Sequence, residues 1–365
     1  MKKNSTSLVV TRASFVGLDL ADKQSRFVGI DSRGELVEEG SVPTTRVGLA
    51  RAFADRSSCR IAIEVGTHST WVSRALMEMG HEVIVANPRQ VALIYRNKRK
   101  SDQIDATTLA RLARSDPELL RPIKHRSKQT QVDLAVLRAR DSLVACRTQL
   151  INHVRGVVKS FGERLPKCGA AAFADKVAEA LPAELKPALD PVLEQIGSLT
   201  NRTNRYNEGI EQLITERYPE TKGFRQVKGV GPITSLVYLL TIEDPQRFRT
   251  SRDVGAYLGL TPGRRQTGAS DPEMHITKAG DVFLRKLLVQ SAHYILGRYG
   301  VDSDLRRWGL RMAGTPDGGT QKGSKQRKKR AVVAVARKLA VLLHALWRNG
   351  EVYEPLRHAS GTEAA

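Results

Sequence analysis

Three cysteines in 365 residues, Cys59, Cys146 and Cys168, stand far apart, with no CxxC pair and no paired histidines beside them. That spacing argues against a disulfide framework and a Cys/His zinc site, and reduced thiols are the expectation. Long apolar runs are also missing. The opening MKKNSTSLVVTRA has an apolar run of only three residues, too short for a signal-peptide core. The most apolar late stretch, RAVVAVARKLAVLLHALW (330–347), is broken by Arg337 and Lys338 and does not read as a membrane span. No G-x-x-x-x-G-K-[ST] loop is present, so no ATP site is expected. The expected compartment is the cytoplasm, without membrane contact.

Negative charge is the other scarcity. Asp and Glu number 38 against 59 Lys and Arg, a formal net charge of +21. Such an excess favours a polyanionic partner, because each neutralised phosphate releases counterions. Nucleic acid is the expected partner, ahead of a membrane surface. With 41% hydrophobic residues the chain can build real cores, and its length suggests two or three domains at ~100–200 residues each.

Three zones emerge along the chain. From 14 to 125 the pattern alternates. SFVGLDLA (14–21), SRFVGID (25–31) and a weaker ELVEEGS (35–41) read as a meander of strands. A helix over 46–56, a strand over 60–66, a helix over 67–80 closed by Gly80, a strand over 82–87 and a helix over 101–114 follow. That succession predicts a mixed α/β sheet. From 126 to 218 the pattern becomes helical. Val136, Leu143, Leu150 and Val157 recur every seven residues, and Leu137, Val144, Ile151 and Val158 keep the same beat one step later. This predicts a coiled-coil arm or long hairpin, with Leu193, Ile196, Leu199, Tyr206, Ile210 and Leu213 on its return and an Ala- and Pro-rich connection (166–190) between. From 219 to 357 the chain reads as mainly helical, interrupted by glycines, with a basic Gly- and Lys-rich loop at 314–330.

Within this basic chain four acidic residues stand out. Asp19 lies inside the apolar strand FVGLDLA and Glu64 ends the apolar strand RIAIEVG. A carboxylate in a buried strand is costly unless paired or bound to a metal. RKSDQIDATTLARL (99–112) adds Asp102 and Asp105 at i, i+3, on one helical face. Oxygen-only ligands favour Mg2+ or Mn2+, and four of them can hold two ions that clamp a phosphoryl displacement. The adjoining Arg96, Lys98, Arg99 and Lys100 would flank the phosphate. Asp22 and Asp31 are spare candidates that read better as turn or strand-end residues. The order D, E, D-x-x-D on strand, strand and helix resembles the RuvC-type branch of the ribonuclease H fold.

The third zone carries two further motifs. KGVGPITS, within 224–240, resembles a helix-hairpin-helix, whose turn at Gly229 and Gly231 would accept a phosphate on backbone N–H groups. AYLGLTPGRRQTGASDPEMHITKAGD (256–281) gathers Arg264, Arg265 and Lys278 near the hydroxyls of Thr267 and Ser270. Arginines can hold a phosphate bidentately while a neighbouring hydroxyl attacks it.

The segments GLDLA, IEVG, KSDQIDATTLARL, KGVGPITS, YLGLTPGRRQTG, ITKAGD and KKRAVVAVARKLAVLLHALWRNGEVYEPLR occur in that order. Together, from about 14 to 357, they resemble bacterial transposases of the insertion sequence one-hundred-and-ten family, DEDD-type recombinases guided by a bridge RNA. The resemblance implies a RuvC-like metal-binding domain (14–125), a coiled-coil arm (126–218) and a C-terminal transposase domain (219–357) with a nucleophilic serine. By position it makes Asp19, Glu64, Asp102 and Asp105 the metal ligands. The serine of the family's Q-S-G pattern falls on Thr267, a departure that keeps the hydroxyl but adds a methyl that restricts χ1. Thr267 as a slower nucleophile, Ser270 as a substitute, or an impaired copy are the readings open, with Thr267 preferred.

The expected function is therefore a magnesium-dependent DNA transposase and recombinase acting through a covalent protein–DNA link. Its expected partners are donor and target duplexes, a bridge RNA and further copies of itself, as dimer or tetramer. A RuvC-like Holliday-junction nuclease that activates water is the enzyme rival. A nucleic-acid-binding protein with structural carboxylates is the non-enzymatic one.

Overall fold

A computed structural model describes residues 13–87, 101–268, 270–272, 274–314 and 324–357. The chain divides after Arg126 into two compact units.

The first unit is built on a five-stranded sheet in the order β3-β2-β1-β4-β5. Strands β1 (Phe15–Asp19), β2 (Gln24–Ile30) and β3 (Leu36–Pro43) form the antiparallel meander, and β4 (Arg60–Glu64) and β5 (Glu82–Ala86) continue it in parallel with β1. This mixed sheet with helices is consistent with the expected ribonuclease H-like fold. Alternation divides its side chains between two faces. Val16, Leu18, Ile61, Ile63 and Val85 pack on one side with Leu49 and Phe53 of α1 (Arg46–Phe53) and Val72 and Leu76 of α2 (Ser69–Glu78). Ala62, Ile84 and Ala86, with Val28 and Ile30, meet α3 (Asp102–Ser115) on the other. Small residues at Ala106, Ala110 and Ala113 let α3 lie close to the sheet. Ser101 starts this helix by accepting from the Ile104 amide at 3.3 Å.

The second unit is helical. Helix α4 (Lys128–Ser160) packs against α6 (Lys186–Arg217), with the short α5 (Phe173–Ala178) at their far end. The returning helix begins at Lys186, inside the stretch expected as connection. Pro187 falls in its first turn, where a missing N–H loses little, whereas Pro191 lies inside the helix and removes one intrahelical hydrogen bond. Of the two heptad stripes, Leu137, Ile151 and Val158 are buried, whereas Val136, Leu143, Leu150 and Val157 are only half-buried. The apolar core of the pair is consequently interrupted. Between Leu137 and Ile151 α4 buries no apolar side chain, and between Leu199 and Ile210 α6 buries only Thr200 and Thr203. Polar links span this stretch, Arg140 to Asn207 at 3.0 Å and Arg147 to Thr200 at 3.2 Å.

The remaining helices are α7 (Thr221–Arg225), α8 (Pro232–Ile242), α9 (Asp253–Tyr257), α10 (Val282–Leu296), α11 (Asp304–Ala313) and α12 (Lys325–Asn349). Helix α8 is buried on all sides from Thr234 to Ile242, the pattern of a central core helix. Tyr238 there is fully buried and donates to the Ala340 carbonyl of α12 at 2.7 Å. Among the described residues no helix is long and apolar enough to cross a membrane.

Candidate active site

Asp19 and Glu64 end two strands that lie side by side and run parallel, with Leu18 opposite Ile63. By alternation Asp19 shares the face of Gly17, and Glu64 shares the face of Ala62. That face is the one α3 covers. Gly17 abuts α3 directly: a Cβ there would lie 2.6 Å from the Ala110 nitrogen and closer still to the Ala106 carbonyl oxygen. At the opposite end of the strands, Arg60 donates to the Ala113 carbonyl at 3.2 Å. Helix α3 therefore runs against β1 and β4, and its first turn, carrying Asp102 and Asp105, lies toward their carboxyl ends. Asp105 is only 5% exposed, whereas Asp102 is exposed.

A cleft of about 410 Å³ opens at this end, lined by Asp19, Asp22, Glu64 and the loop that carries Gly66 to His68. Asp102 and Asp105 do not line it. Among the described residues no three acidic, histidine or cysteine side chains form a ready metal cluster. The donor chemistry nonetheless suits a hard divalent ion, since carboxylate oxygens are its preferred ligands. Like-charged carboxylates at one end of a sheet face also repel unless a cation lies among them. The basic run Arg96, Lys98, Arg99 and Lys100 lies outside the described residues.

The spare acids separate. Asp31 is a turn residue whose Oδ1 accepts from the Arg33 and Glu35 amides, both at 2.9 Å, and the Glu35 bond leads in holding its carboxyl below the usual range. Asp22 stands in the cleft, 3.3 Å from Nε2 of His68, and Trp71 donates to the other nitrogen of that ring at 3.1 Å. Sequence reasoning passed over His68 and Trp71. Their spacing of three at the start of a helix was the local signal, but Asp22 is 46 residues distant. Cys59 is removed as a nucleophile, because burial pushes its thiol up to about 11.

In the second unit, KGVGP makes the turn between α7 and α8, with Gly229 at φ +101° and Pro232 opening α8. Beside it is a hollow of about 370 Å³, lined by Gly229, Val230, Gly231 and Thr234 and, from α10, Gln290, Ser291 and Tyr294.

The described residues within 261–277 form an irregular hairpin, bridged at Pro262 with Ile276 and again at Thr267 with Ser270. Thr267 and Ser270 exchange both backbone hydrogen bonds at 3.0 Å around a turn with Gly268 at φ +57°. A hydrogen-bonded pair of this kind has Cα atoms about 5.5 Å apart. The two candidate hydroxyl residues are thus cross-strand neighbours rather than successive stops along an extended chain. Arg264, Arg265, Thr267, Ser270 and Lys278 are all exposed.

The base of this hairpin is interlocked. Lys278, itself at φ +55°, donates its amide to Gly259 at 3.1 Å. Arg285 of α10 reaches the Leu258 carbonyl at 3.0 Å and the Ala279 carbonyl at 2.7 Å, tying the GLTP and KAGD turns together.

Two family models match the chain. One, the DEDD transposase of IS110 elements, covers residues 16–162. The other, the transposase of the IS116/IS110/IS902 family, covers 222–305. A Pseudomonas aeruginosa protein named "Probable family 20 transposase" is 29% identical over 351 residues, 94% of this chain and 99% of its own length. The transposase for insertion sequence element IS1111A of Coxiella burnetii is 28% identical, over 93% of this chain and 90% of its own. The transposase for insertion sequence element IS1328 of Yersinia enterocolitica is also 28% identical, over 70% of this chain and 76% of its own. With both halves matched in the order their motifs predict, the chain belongs to the IS110 family of insertion-sequence transposases and is an enzyme of that kind.

Proposed function

We propose that this transposase cuts and exchanges DNA strands by metal-dependent phosphoryl transfer, with Asp19, Glu64, Asp102 and Asp105 as the ligands of magnesium or manganese. The observation that supports the reading is that Asp19 and Glu64 line one cleft at the carboxyl ends of β1 and β4, and that the first turn of α3, carrying Asp102 and Asp105, lies toward the same end. A bound divalent ion would stabilise charge on the phosphoryl and leaving oxygens.

The second unit supplies the hydroxyl. Thr267 attacks a backbone phosphate, so that an Oγ1–P bond forms and a P–O bond to the sugar breaks. The threonine gives up its proton as the departing oxygen gains one. The new ester conserves the bond energy for rejoining, and no ATP is needed. Arg264, Arg265 and Lys278 position phosphate near the hairpin tip, and the turn at Gly229 and Gly231 holds a further backbone phosphate. The net charge of +21 supports DNA and a structured guide RNA as joint partners, and exchange between two duplexes calls for a homo-oligomer.

Threonine in place of serine favours one second reading, water activated at the carboxylates as in a junction resolvase. The test uses the full chain, a plasmid carrying the element with its own flanks, and trapping in denaturant. Thr267 should give a denaturant-stable DNA adduct, Thr267→Ser more of it, Thr267→Ala none, and chelation should abolish it until magnesium or manganese is restored. Cleavage without any adduct would establish the resolvase reading. An adduct that survives Thr267→Ala but not Ser270→Ala would move the nucleophile to Ser270.

A further inference from the structure

The loop after β4 carries a histidine that the acidic set does not use. His68 immediately precedes α2 and lines the same cleft as Asp19 and Glu64. Its two ring nitrogens have different partners. Trp71 donates its indole N–H to Nδ1 at 3.1 Å, and Nε2 stands 3.3 Å from the Asp22 carboxylate. An indole nitrogen can only donate, so Nδ1 is an acceptor and carries no proton. An ionised carboxylate can only accept, so Nε2 carries the hydrogen. Both neighbours select the same tautomer.

That tautomer removes the usual histidine roles. A protonated Nε2 offers no lone pair to a metal ion and cannot take a proton as general base. Nδ1 is occupied by the Trp71 N–H and is not open to a metal ion or an incoming proton while that bond is made. What remains is a neutral N–H donor in an acidic cleft.

We propose that His68 donates its Nε2–H to a non-bridging oxygen of a DNA phosphate bound in this cleft, with Trp71 as the positioning residue that holds the tautomer. The inference rests on the phosphoryl-transfer reading above and adds a substrate contact to it. Asp22, whose side chain is 88% exposed, can release the hydrogen to a phosphate oxygen and remain solvated. One anionic acceptor replaces another, so no hydrogen bond is lost in the exchange. A neutral donor also adds no positive charge to compete with a cation for Asp19 and Glu64.

Two measurements on the full-length protein test this. Nitrogen-15 NMR of labelled histidine should show His68 with Nδ1 bare and Nε2 protonated, and Trp71→Phe should mix the tautomers. Excision from the plasmid-borne element should fall about 10- to 100-fold in His68→Ala, the size of a hydrogen bond to a charged group. His68→Gln keeps a side-chain N–H and should retain most of the activity, with melting curves confirming that each variant is folded. A protonated Nδ1 in the wild type would overturn the proposal. So would a folded His68→Gln as weak as His68→Ala, or a fully active His68→Ala beside an inactive Glu64→Gln. Full activity of Glu64→Gln would instead remove the phosphoryl-transfer reading, and the donor role with it.

Discussion

The backbone of β1 at Gly17 and the Ala106 carbonyl of α3 meet with no room for a side chain between them. This contact decides how far α3 stands from the sheet, and so where its first turn presents Asp102 and Asp105.

Gly17→Ala should therefore act on stability and activity together. The added methyl must push α3 away, an overpacking cost of about 1–3 kcal/mol or more. Urea melts should show the loss, and excision should fall even under conditions where the variant is folded. A wild-type melt with wild-type excision would show that α3 tolerates displacement.

The hairpin base supplies a second prediction. Gly280 is at φ +74°, and a Cβ there would lie 3.1 Å from the Tyr257 carbonyl carbon and closer to its oxygen. Gly280→Ala should part the KAGD turn from the GLTP turn and abolish adduct formation. Far-UV circular dichroism should stay near that of the wild type, because the helices do not depend on this turn. Normal adduct yield would mean that the tip works without its base.

His344 gives a pH dependence. It is fully buried, accepts from Ser251 Oγ at Nδ1 and donates from Nε2 to the Pro245 carbonyl, both at 2.9 Å. Burial leads in pulling its pKa below the usual imidazole value, while the Pro245 bond opposes that shift. The folded state thus stays neutral where the unfolded chain, near 6.5, has begun to bind a proton. The resulting stability is present above about pH 6.5 and is lost as pH falls through the lowered folded pKa. Melting temperatures from pH 7.5 to 5 should decline more steeply in the wild type than in His344→Gln. Parallel profiles would refute this.

Much of the first unit could be read from short apolar runs, because β1, β4 and β5 each set apolar residues in succession between turn-like stretches. Asp19 and Glu64 drew notice for the same reason, as charges set in apolar strands. The parallel pairing of their strands and the direction of α3 were not readable, since both depend on contacts between segments more than 40 residues apart. The pairing at the hairpin tip was not readable either. Thr267 and Ser270 look three steps apart along the chain, yet a turn with Gly268 in the left-handed region makes them opposite partners. His68 escaped for a different reason, because a lone histidine has no pattern of its own until Trp71 and Asp22 are seen around it.

The gap in the apolar packing between α4 and α6 has a mechanical consequence. Beyond it, Ile151, Val154, Phe173, Leu189 and Ile196 form a separate oily cap, joined to the base by a neck that polar side chains hold. The cap is therefore expected to melt without dragging the base along, so that the long pair unfolds as two cooperative blocks.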